Sequence, residues 1–220
     1  MILKVLKKKI QNYKYKTRFS SYGEETLSSA IMALNKAGVT FWIDFGTLLG
    51  HYRDKGFIKG DRDIDLSMFL DEYDENIEKE MAKKGFKLLK TFVVKDGEKI
   101  YAMEQTYRFK KIHLDIFYYT RHSEELYRTH TFIGFDDLSM NQSMQQHGGL
   151  RVIEQYLPIT GFKKIDCFGN SVLAPGDISK HLAYHYGEDF MTPRSWNYID
   201  VEKDNVNAVF LEDKLGVLHS

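Results

Sequence analysis

The stretch Asp61 to Phe69, DRDIDLSMF, constrains the fold more than any other part of the chain. From Asp63 onward polar and apolar residues alternate, the period of a strand with one face in a core. Ile64, Leu66 and Met68 share the apolar face, and Asp63 and Asp65 share the other, about 6.6 Å apart along the backbone. Carboxylates held so close repel one another, and partial burial raises the cost. A fold that accepts this strand must set a positive group or open solvent against its acidic face. Two carboxylates at this spacing can converge on a divalent ion, or on a pair about 3.5–4 Å apart. All-oxygen ligation favours Mg²⁺ or Mn²⁺ over zinc. An edge strand whose charges deter aggregation would show the same pattern.

Two neighbouring features favour the metal reading. Upstream, a strand over Val39 to Asp44 is broken at Gly46-Thr47, and TLLGHYRD follows as a short helix. Such a turn exposes backbone N–H groups and a hydroxyl where phosphate binds readily. Downstream, IHLDIFY (Ile112 to Tyr118) repeats the pattern of an acid flanked by apolar residues, making Asp115 the candidate third ligand. The spacing from Gly46 to Asp63 leaves room for the short helix and a return into the acidic strand.

The remaining elements follow from local patterns. Ser21 and Glu24 fit a capping box before Leu27, Ala30, Ile31 and Leu34, with Gly38 as the stop. Asp71 caps a helix carrying Ile77 and Met81, an acidic segment with a solvated face. Asp96-Gly97 joins two strands, Phe86 to Val94 and Lys99 to Phe109, as a hairpin. Residues 121–157 are mixed, with QSMQQHGG reading as a loop. A second hairpin turns at Gly169-Asn170, and Asp177 caps ISKHLAYHY, which Gly187 ends. No repeat, linker or domain boundary stands out, so the expected class is α+β with a mixed sheet.

The 31 basic and 31 acidic residues cancel, which argues against a general nucleic-acid binder. The balance is uneven along the chain. Residues 1–18 hold seven Lys or Arg and no acid, leaving 24 basic against 31 acidic residues, a balance of −7, in the rest. Interleaved with Ile2, Leu3, Val5, Leu6 and Ile10, these cations suit either contact with a membrane surface or a solvated helix face. Cys167, the single cysteine, excludes an intramolecular disulfide and a multi-cysteine zinc site. No run reaches transmembrane length, no secretory core is present, and the cytoplasm is the expected location.

GTLLGHYR followed by DRDIDL resembles the LicD and fukutin-related proteins. SVLAPGDISKHLAYHYGEDFMTP extends the likeness, so that it covers 41–69 and 171–193, with a weaker match around Asp115. The resemblance implies a nucleotidyltransferase-like mixed β-sheet flanked by helices, with 1–20 a basic N-terminal segment and 21–220 one catalytic domain. It implies metal-dependent transfer of a phosphorylated group, phosphocholine or a polyol phosphate. The donor would be CDP-activated and the acceptor a sugar of a cell-surface glycan, in some cases lipid-linked, assembled at the inner face of the membrane. Asp63 and Asp65 would hold Mg²⁺ (or Mn²⁺) on the diphosphate, Gly46 and Thr47 would contact phosphate oxygens, and Asp115 would ligate a second metal or deprotonate the acceptor. Arg62 interrupts the family's acidic run, which makes Asp61 an outer contact rather than a ligand.

Arg53 matches the family's arginine and would bind phosphate, unless it pairs with Asp44 or Asp54. Asp44 precedes the Gly turn and reads as structural. His51 and Tyr52 fit pocket lining or packing equally. His113 shares a face with Asp115. HLAYH spaces His181 and His185 as metal ligands, but it lacks the glutamate of the metalloprotease motif and a third ligand. Two other functions share the residue pattern: transfer of NMP to a small molecule, RNA or protein, and a silent subunit of a glycan-assembly complex.

Overall fold

A computed structural model describes residues 19, 22–193 and 207–219. The basic segment 1–18 and the cap expected at Ser21 lie outside the described residues. The first helix, α1, occupies 22–37. Strand β1 (Phe41–Ile43) leads into α2 (Phe45–Leu49) and directly into a π-helical turn, Gly50–Asp54. The acidic strand is β2 (Asp63–Phe69). A 3₁₀ turn, Leu70–Glu72, precedes α3 (Asn76–Lys83), so the helix begins later than Asp71 would have capped it. The reason is local: Asp74 Oδ1 accepts the N–H of Asn76 and starts the helix there.

The hairpin β3 (Lys87–Asp96) and β4 (Lys99–Phe109) turns where Asp96-Gly97 predicts, and β5 (Ile112–Arg121) carries Asp115. The middle of the chain is more regular than its sequence suggests, with β6 (Leu126–Ile133), α4 (Met140–His147) and β7 (Leu150–Pro158). QSMQQHGG is thus mostly helix rather than loop. Ser139 and Gln142 cap it reciprocally, and Gly148 ends it in the left-handed region at φ 74°. β8 (Phe162–Cys167), β9 (Asn170–Pro175), α5 (Ile178–Tyr186) and β10 (Ala208–Leu218) complete the chain.

The ten strands of the described residues join one sheet in the order β4-β3-β10-β7-β6-β5-β2-β1-β9-β8, and β4 also pairs with β5. That extra pairing closes β3, β4, β5, β6, β7 and β10 into an antiparallel barrel. The closed barrel corrects the expected architecture: the molecule is mostly β, not a nucleotidyltransferase-like sheet flanked by helices. β5 makes the closure possible. Its residues 113–119 pair with β2 along one edge, while β4 takes its first half and β6 its last three residues along the other. Closure removes free edges that would template association.

The period-2 pattern of β2 now has two destinations. Ile64, Leu66 and Met68 are fully buried with Leu27 and Leu34 of α1 and Ile77 and Met81 of α3. Burying each such side chain contributes about 1.5–3 kcal/mol. The opposite face meets a second, aromatic cluster of Trp42, Phe45, Phe117 and Tyr119 against Tyr184 of α5. The acids stand at the open end of that second face.

Candidate functional site

Gly46, Arg53, Asp61, Asp63, Asp65 and Asp115 line one cleft of about 460 Å³, with Phe45, Phe117, Tyr186 and Phe190 among its walls. Pairing register brings the acids together. Asp65 lies directly opposite Asp115 on the parallel strand β5, and Asp63 lies opposite His113. The row continues through Thr106 on β4 to Lys90 on β3. Thr106 donates its hydroxyl to Asp115 at 2.5 Å.

The turn before the cleft is built by Asp44. Its carboxylate caps α2 at the Phe45 N–H (2.9 Å) and accepts from Trp42 Nε1 (3.1 Å), Ser67 (2.8 Å) and Tyr119 (2.7 Å). His181 Nε2 completes the set at 2.8 Å, while its Nδ1 lies 3.0 Å from the Pro158 carbonyl. Both ring nitrogens face acceptors, so the imidazole is held as the cation, 1 % exposed beside an equally buried carboxylate. Burial pushes Asp44 upward, but His181 and the other donors outweigh it and bring it down to about 2. Burial opposes the charge on His181 too, and Asp44 still raises it. The helical pair of histidines is therefore not a metal site: His181 belongs to Asp44, and burial lowers the buried His185 to about 3. This network holds Phe45 at φ 43°, a left-handed conformation unusual for a residue with a side chain.

Thr47 does not line the cleft. It turns inward, donating its N–H to Asp65 Oδ2 (3.2 Å) and accepting the Asp65 N–H at its hydroxyl (2.8 Å). Gly46 lies in the cleft, and a Cβ there would come within 3.0 Å of Asp65 Oδ2 and 3.1 Å of Asp61 Oδ2. Gly50 is equally confined, because a Cβ would meet the Gly56 carbonyl at 2.6 Å where the loop folds back over the π-helical turn. That turn projects Arg53, whose guanidinium grips Asp54 through Nε (2.8 Å) and Nη2 (2.9 Å) and reaches the Phe190 carbonyl through Nη1 (3.4 Å).

The acids are crowded electrostatically. Burial, then Asp63, pushes Asp61 and Asp115 up to about 7. Asp65 rises well above the usual range for the same reasons, with Asp61 and Asp115 adding to the effect. Glu104 is a neighbour of the acids that sequence reasoning missed, although it does not line the cleft. It is buried one β4 residue-pair from Thr106, and burial followed by Asp115 pushes it up to about 8. Nothing local in YAMEQTYRF distinguishes it, because its importance depends on which strand lies beside β4. Phe190 and Thr192 lay in the FMTP piece of the family likeness, and Ile58 and Lys59 between its GTLLGHYR and DRDIDL motifs.

The donor set is chemically suited to a hard divalent cation: all oxygen, mutually repelling, and desolvated. Among the described residues, no three acids, histidines or cysteines converge as a ready metal cage. Among the described residues no helix is long and apolar enough to cross a membrane.

Residues 38–152 match the family model described as LicD/FKTN/FKRP, nucleotidyltransferase domain. The chain is also similar to ribitol-5-phosphate transferase FKTN of Macaca fascicularis, 31 % identical over 110 residues, and to that of Homo sapiens, 30 % identical over 110. Each match covers 50 % of this chain and 23 % of the relative, so it spans less than a quarter of those proteins. The family model covers more than half of the chain and takes in every acid of the cleft; the chain belongs to the LicD/FKTN/FKRP family.

Proposed function

We propose that this protein transfers a phosphorylated polyol or choline from a CDP-activated donor to a hydroxyl of a glycan. The observation that carries the reading is the register of Asp65 opposite Asp115, in one cleft with Gly46 and Arg53. The name of the similar proteins, ribitol-5-phosphate transferase, favours ribitol phosphate as the group moved. A divalent ion, when bound, would supply charge neutralisation on the donor diphosphate, with Asp63 and Asp65 as its holders.

The residues divide the remaining work. Gly46 leaves space for the diphosphate to approach the carboxylates, and Arg53, oriented by its pairing with Asp54, lines the same cleft. Thr47 positions Asp65. The acceptor oxygen attacks the phosphorus bearing the polyol, that P–O bond forms, the bond to the CMP oxygen breaks, and CMP leaves. Asp115 then either holds a second ion or takes the acceptor proton as general base. Positioning and charge neutralisation suffice for chemistry of this kind.

The test is thermal unfolding with Mg²⁺ against CDP-ribitol, CDP-glycerol, CDP-choline, CMP and the four NTPs, with the Asp63→Asn, Asp65→Asn double variant alongside. A ligand at a hundredfold its Kd adds about 2.7 kcal/mol if it binds only the native state. The expected result is a shift with one CDP compound that the variant loses. A shift with NTPs alone would replace this reading with nucleotidyl transfer, and no shift with any of them would reject the donor class.

A further inference from the structure

A second groove, of about 660 Å³, opens beside the aspartate cleft. Residues 187–193 form the partition, and Phe190 lines both spaces. The partition is fixed to the cleft rather than free beside it, because Arg53 of the cleft wall donates to the Phe190 carbonyl. The groove floor is aromatic. Tyr184 stands on α5 with its body packed against the Trp42 and Phe45 cluster, and Tyr52 lies 6.0 Å from the Phe190 ring at 43°. Met191 leaves 51 % of its surface in water at the rim, a large apolar side chain without a core to fill. Ser179, Lys180 and Glu188 line the same groove and alternate donors with acceptors.

We propose that this groove holds a pyranose ring of the acceptor, next to the sugar whose hydroxyl enters the cleft. The chemistry of the lining selects this occupant. A pyranose presents C–H faces that lie flat on tyrosine rings and a rim of hydroxyls that need both donors and acceptors. A phosphate or diphosphate would meet the carboxylates of Asp177 and Glu188, while the nearby ammonium groups are already engaged, Lys180 3.8 Å from Glu125 and Lys55 donating to the Tyr52 carbonyl at 2.8 Å. An acceptor lying across Phe190 would reach both spaces, since that residue belongs to both walls. The proposal rests on the transferase reading, but its groove and residues are distinct from the acids that carry that reading.

Saturation-transfer NMR on the full chain, irradiating the aromatic protons, tests it with methyl β-D-galactopyranoside, N-acetyl-D-galactosamine and cytidine. At least one of the two sugars is expected to take up saturation, with the signal falling to background in Tyr184→Ala and Tyr52→Ala and persisting in Tyr184→Phe. Circular dichroism verifies that each variant is folded, and Tyr52→Ala serves alone if Tyr184→Ala is not. No sugar signal, a signal unchanged in both alanine variants, or a response to cytidine alone would overturn the proposal. CDP-ribitol thermal shifts on the same samples separate the two readings. A retained CDP shift with an unaltered sugar signal sinks the groove, and a Tyr-dependent sugar signal without any CDP shift sinks the donor.

Discussion

Thr47 and Asp65 clasp each other twice, through the Thr47 N–H on Asp65 Oδ2 and the Asp65 N–H on the Thr47 hydroxyl. Both residues are buried, so neither bond can be replaced by water without rearrangement. Thr47→Val would leave the Asp65 N–H without its acceptor and should cost about 1–3 kcal/mol. Thr47→Ser should retain most of the stability. Urea unfolding of the two variants checks this, and equal midpoints would contradict it.

Gly46→Ala tests the cleft without removing any charge. The new methyl would press on the carboxylate tips of Asp61 and Asp65 and strain the Thr47 N–H bond to Asp65 Oδ2. We expect the protein to stay folded while the thermal shift with Mg²⁺ and a CDP donor is lost. A variant that keeps the full shift would show that these two carboxylates do not meet the ligand.

The crowded acids make stability depend on pH in a stated direction. For Asp115 the folded value, about 7, exceeds the ordinary 3.8, so its contribution is present below pH 4 and lost as pH rises toward 7. Asp115→Asn removes this loss and keeps an oxygen that can accept from Thr106. In EDTA the variant should melt higher than the parent at pH 8, and the gap should close toward pH 4. Differential scanning calorimetry across that window would refute the idea if the gap were constant.

The buried pair Asp44–His181 responds to pH at both ends of the range. Asp44 stabilises above pH 4 and loses this as pH falls toward 2, while His181 stabilises below 6.5 and loses it as pH rises through its raised value. His181→Leu leaves the Asp44 charge buried without its partner, and should cost about 3–5 kcal/mol. Guanidinium unfolding at pH 6 measures the loss. A cost below 1 kcal/mol would mean that the other four donors satisfy the carboxylate alone.

Much of the site was legible locally. The alternation in DIDLSMF set β2, Asp96-Gly97 set the β3–β4 turn, and Asp177 with Gly187 bounded α5, because each pattern is complete within one turn or one strand. α4 had its own signals, Ser139 with Gln142 and then Gly148, but Ser143 is the only one of its residues that is buried. A helix with so little apolar face gives no periodicity to read. β10 escaped for another reason: its pairing with β7 shifts between Phe210 and Leu215, which breaks the alternation.

From the sequence alone came the acids, the glycine turn, the neighbouring arginine and the family they resemble. Tertiary structure decided what these residues meet. Asp65 faces Asp115 only because β2 and β5 pair in parallel at one register, and a slip of one residue would send every side chain to the other face. Arg53 turned to Asp54, and Thr47 turned inward. Asp44 found His181, 137 residues away. β5 accepted three partners and closed a barrel where an open sheet was expected. Spacing along a chain encodes which face a side chain takes, but which strand edges meet depends on the burial and hydrogen bonding of the whole molecule.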